Sequence, residues 1–67
     1  MFRLLVSKVK RHGQAMFKVK LIETQTGESF VLDKPILTLD ELELLELNLM
    51  LAMKSNNKVF ISNHFKP

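Results

Sequence analysis

Residues 39–53 read Leu-Asp-Glu-Leu-Glu-Leu-Leu-Glu-Leu-Asn-Leu-Met-Leu-Ala-Met, a run of fifteen without Gly, Pro or a β-branched residue. Every position in it is compatible with helix, and none prefers a strand strongly. Thr38 precedes the run and Glu41 stands at the third helical position, which is the pattern of a capping box. Leu37 and Leu42 are spaced for a hydrophobic staple across that cap. Asp40, Glu41 and Glu43 suit the positive end of the helix dipole, and Lys54 suits the negative end. Ser55-Asn56-Asn57 then closes the helix, since Asn can take the left-handed cap. The sequence therefore predicts a helix over residues 39–54.

That helix needs something to pack on, and the chain is short. Its 67 residues support one core, so residues 1–67 are read as a single domain. With no Cys, a disulfide scaffold and a Cys-based zinc module are both excluded. The hydrophobic fraction, 46%, is too high for a disordered tail. Residues 1–6 are too short an apolar run for a signal peptide, because Ser7-Lys8-Val9-Lys10 breaks it. Residues 44–53 are interrupted by Glu46 and Asn48 and fall short of the roughly 20 residues that span a bilayer. A cytoplasmic protein without a membrane partner is the expectation.

The first 23 residues have the pattern of a β-hairpin. Residues 2–10 are rich in Leu and Val, and Phe17-Lys18-Val19-Lys20-Leu21 alternates. A two-residue His12-Gly13 turn between them places Arg11 opposite Gln14, Val6 opposite Val19 and Leu4 opposite Leu21. Leu4, Val6, Phe17, Val19 and Leu21 then share one face. Arg3, Leu5, Val9, Met16, Lys18, Lys20 and Ile22 share the other. Thr24-Gln25-Thr26-Gly27 makes a second turn, and residues 28–33 form a short third strand ended by Lys34-Pro35. Residues 58–63, Lys-Val-Phe-Ile-Ser-Asn, are predicted as a fourth strand, with residues 64–67 free to fray. The expected fold class is α+β: a two-layer β-β-β-α-β domain with one helix on a four-stranded mixed sheet. The expected strand order is 3-2-1-4, with a right-handed crossover into a parallel last strand.

Charge is sorted along the chain. Residues 1–22 hold Arg3, Lys8, Lys10, Arg11, Lys18 and Lys20 and no acid. Residues 23–46 hold all seven acids and only Lys34, and residues 47–67 hold three Lys. These blocks carry +6, −6 and +3, so a net charge of +3 conceals a strongly polar molecule.

Apolar surface is in excess. At 100° per residue Leu42, Leu45, Leu49, Ala52 and Met53 cluster into a core stripe. Leu44, Leu47 and Leu51 form a second stripe nearly opposite, among Asp40, Glu43 and Lys54. The open sheet face adds Leu5, Met16 and Ile22, and Phe60 if Val59 and Ile61 point inward. A patch of this kind on a small protein marks an interaction site.

Chemistry has little to stand on. His12 and His64 lie in a turn and a tail without ligand spacing around them. The acids at the helix start are explained by capping, and the two isolated Gly make no phosphate-cradling loop. No catalysis, cofactor or metal is expected. The reading is a small non-catalytic module, a regulator or adaptor that forms a homodimer or docks on a larger protein. Its protein contacts are assigned to Leu44, Leu47 and Leu51, with Leu5, Met16 and Ile22 second. The alternative is a nucleic-acid-binding protein using Lys8, Lys10, Arg11, Lys18 and Lys20, with Phe60 stacking an unpaired base.

Overall fold

The computed structural model describes all 67 residues. Strand β1 (Phe2–Arg11) turns at His12-Gly13 into strand β2 (Gln14–Glu23). Both turn residues have positive φ, 52° at His12 and 76° at Gly13, as a tight hairpin turn demands. The register pairs Arg11 with Gln14, Val6 with Val19 and Leu4 with Leu21, as the alternation predicts. Gly27, with φ 76°, closes the second turn, and its N–H donates to the Glu23 carbonyl at 2.8 Å. Strand β3 (Ser29–Leu32) follows and pairs antiparallel with β2 through Lys20, Leu21 and Ile22.

Helix α1 (Leu39–Lys54) starts at the capping box that the sequence specifies. The Glu41 N–H donates to Thr38 Oγ1 at 3.2 Å, and the Thr38 N–H donates to Glu41 Oε1 at 2.9 Å. Leu37 and Leu42, the predicted staple pair, are both buried in one core cluster. At the far end Asn56 adopts the left-handed conformation, φ 56°. The Asn57 N–H donates to the Ala52 carbonyl and the Asn56 N–H to the Met53 carbonyl. That pair of bonds is a Schellman cap.

The last third of the chain departs from expectation. Residues 58–63 are not a strand but belong to a second helix, α2 (Lys58–His64). Asn57 caps it, its side-chain oxygen accepting from the Phe60 N–H at 3.3 Å. A strand would send Phe60 and Ile61 to opposite faces, whereas a helix lets both pack against the core, as they do. Burial of two adjacent apolar side chains thus overrides the β-propensity of Val59-Phe60-Ile61. The final strand, β4 (Phe65–Lys66), comes after α2 and pairs antiparallel with β3. The second helix adds one reversal of the chain, so the last strand enters antiparallel and no crossover is needed. The sheet is antiparallel throughout and ordered β1-β2-β3-β4, not mixed and not 3-2-1-4. The α+β class holds, with two helices rather than one.

Core and open face follow from this register. Val19, Leu21, Leu37, Leu42, Leu49 and Phe65 form the buried cluster, with Leu21 wholly inaccessible. Phe2 and Phe30 meet edge to face at 6.3 Å beside it. Phe65, expected in a fraying tail, is only 3% exposed. Met53, expected in the core stripe, is exposed instead, because the chain turns away into α2 at the end of the helix. No helix is long and apolar enough to cross a membrane.

Candidate functional site

The two-layer fold presents an apolar surface on each side. On the helix side, Leu44, Leu47 and Leu51 are 59%, 49% and 52% exposed. Leu42, Leu49 and Ala52 occupy the buried side of α1, so the helical period turns these three leucines outward. Met50 and Leu39 are exposed too, on the flank of α1 between this stripe and the buried side. Sequence reasoning missed them, although the 100° wheel already excludes both from the core stripe. Asp40 and Lys54 terminate the leucine line. The spacing 40, 44, 47, 51, 54 alternates steps of four and three, the repeat that keeps a seam facing a neighbouring helix. One end of the seam is acidic and the other basic.

On the sheet side, Leu5 is exposed and Met16 and Ile22 are half-buried. The register places Leu5 opposite Lys20, Met16 opposite Val9 and Ile22 opposite Arg3. Val31 lies beside Lys20 and opposite Lys66, so it joins the same face. Leu5, Ser7, Lys18, Lys20, Val31 and Pro35 line a shallow depression there. Sequence reasoning missed Val31 because it did not fix the β2–β3 register, and Lys66 because it assigned the last strand to residues 58–63.

Phe60 does not lie on this face. It belongs to α2, packs against the core and contacts the His64 ring at 4.7 Å. The other four phenylalanines (Phe2, Phe17, Phe30 and Phe65) also belong to the core or pack against it. The open face therefore carries no aromatic ring on which a base could stack.

The five cations assigned to an anionic partner do not form one patch. Strand alternation puts Lys8 and Lys10 on the helix-side face of the hairpin and Arg11, Lys18 and Lys20 on the open face. All five are exposed. Only two ion pairs exist in the molecule. One joins the N-terminal ammonium to Glu23 at 3.0 Å, and the other joins Lys34 to Glu41. No hairpin cation has an acidic partner.

Two of the acids have structural duties. Glu41 serves the cap and Lys34 together. The Lys34 ammonium, followed by the Thr38 backbone N–H, lowers its pKa to about 2. Glu23 is also held below the ordinary range, first by the Gln25 N–H and then by the N-terminal ammonium. His12 sits in the hairpin turn and His64 at the end of α2, and no three metal-ligating side chains converge.

The chain matches no protein-family model, no curated protein and no solved structure.

Proposed function

We propose that this is a non-catalytic interaction module that self-associates through the outer face of α1. The supporting observation is the exposed line Leu44, Leu47 and Leu51, bounded by Asp40 at one end and Lys54 at the other. Such a seam is complementary to itself when two copies pack antiparallel about Leu47. Lys54 of each copy then approaches the acidic first turn of the other, and the helix dipoles oppose.

Magnitude sets the strength of this contact. Full burial of a leucine contributes about 1.5–3 kcal/mol, so completing a half-buried one contributes roughly 1 kcal/mol. Three leucines from each copy then supply about 6 kcal/mol, against a cost of roughly 4–15 kcal/mol for association. The charged ends must provide the surplus. One helix face about 24 Å long is also a small interface. The expected dimer is weak and concentration-dependent, suited to a regulator that assembles reversibly.

Sedimentation equilibrium across the micromolar to millimolar range tests this. The parent chain should shift toward a dimer as concentration rises. Leu47→Lys should remain monomeric with an unchanged thermal midpoint, because Leu47 supports no core contact. A parent chain that stays monomeric throughout, or a Leu47→Lys variant that dimerises equally well, overturns the assignment and leaves a larger protein as the occupant of the stripe.

A further inference from the structure

The hairpin extends past everything that supports it. β3 pairs with β2 only at residues 20–22, and the last backbone pairing from elsewhere in the chain is the bridge from Leu37 to Phe17. Phe17 lies opposite Lys8. Beyond that pair the two strands are backbone-paired only with each other, through Val9 with Met16, Lys10 with Ala15 and Arg11 with Gln14. Three steps of about 3.4 Å carry this free ribbon roughly 10 Å out before the turn.

Its charge is distributed as its shape is. On the free ribbon Lys10 projects from one face and Arg11 from the other, and at its base Lys8 and Lys18 repeat that arrangement opposite Phe17 and Ser7. No acid occurs before Glu23, and Glu23 is occupied by the N-terminal ammonium. A flat anionic surface needs cations on one face only. Cations on both faces of a projecting ribbon fit a partner that carries negative charge on both sides of it.

We propose that the β1–β2 hairpin is an arm that enters the major groove of duplex DNA. That groove is about 12 Å wide and 8.5 Å deep, and it admits a two-stranded β-ribbon. Its width matches a ribbon of two strands, and its depth matches the free length. Phosphates flank it on both sides, where Lys8 and Lys10 meet one strand's backbone and Arg11 and Lys18 the other's. His12 and Gln14 stand at the tip, where base edges lie. Single strands are disfavoured because the open face has no stacking ring, and duplex RNA because its major groove is too narrow for side chains to read. This arm acts in a single copy and does not depend on the α1 seam.

Fluorescence anisotropy with the full chain and a short mixed-sequence DNA duplex, titrated over salt, tests the proposal. Duplex RNA of the same sequence and polyglutamate serve as comparison probes. Affinity for DNA should fall steeply with salt and exceed that for both comparison probes. Lys10→Gln and Arg11→Gln should each reduce the slope of log K against log salt by about one, whereas Lys54→Gln should leave it unchanged. No DNA binding at low salt overturns the proposal. So does equal binding of duplex RNA, tighter binding of polyglutamate, which points to an acidic protein, or an unchanged slope in both hairpin variants. Circular dichroism confirms folding of each variant, and all three substituted positions are exposed.

Discussion

Phe17 and Leu37 exchange two backbone hydrogen bonds, each 2.8 Å, across an isolated antiparallel bridge. This bridge pins the start of α1 to the middle of β2. Thr38 follows at once as the cap, so the helix is launched from a fixed point on the sheet. Leu37 itself is buried at that point. Leu37→Ala removes a core side chain at the junction of both layers and should cost about 2–5 kcal/mol. Urea denaturation followed by circular dichroism measures this. A loss below about 1 kcal/mol would show that the junction does not carry the packing assigned to it.

Gly13 offers a different kind of test. A Cβ built there meets nothing within 4 Å, so the only objection to a side chain is the backbone conformation, φ 76°. Gly13→Ala should therefore destabilise by about 1–2 kcal/mol, the cost of a left-handed residue, without disturbing packing. Thermal unfolding gives the value, and an unchanged midpoint would mean that the turn relaxes to another type.

The pH dependence of stability follows from Glu41. Its folded pKa, about 2, lies below the ordinary glutamate value of 4.5, so folding favours the charged form. The stabilisation is fully present above pH 4.5 and is lost as pH falls toward 2. Glu23, lowered in the same direction, adds to the acid side of the profile. The thermal midpoint should drop on acidification below pH 4.5, and Glu41→Gln should drop less steeply in that window. Equal slopes for parent and variant would remove Glu41 from the explanation.

Most of the first 54 residues were legible because local and tertiary signals agree there. The His12-Gly13 turn fixes the hairpin register, and the Thr38-Glu41 reciprocity fixes where the helix begins. The outward stripe of Leu44, Leu47 and Leu51 followed from helical period alone, since Leu42 and Leu49 had already claimed the inside. Residues 58–66 were not legible, because there the two signals conflict. Val59, Phe60 and Ile61 favour a strand locally, yet the core takes Phe60 and Ile61 together. That choice makes a helix, and it frees Phe65 to close the sheet beside β3. Misplacing the last strand then misplaced Phe60 and concealed Lys66. The surfaces themselves were legible, but which cations share a face depended on the register.

The strand order leaves β1 as an outer edge, ten residues long and unpaired along one side. Bare backbone of that length is a template on which identical chains could stack into fibres. Arg3, Lys8, Lys10 and Arg11 stand along it, and a second copy presents the same four positive charges. Repulsion therefore keeps this edge solitary at low ionic strength. Concentrated salt or a disordered polyanion would screen that guard, so handling conditions as well as fold decide whether the protein stays dispersed.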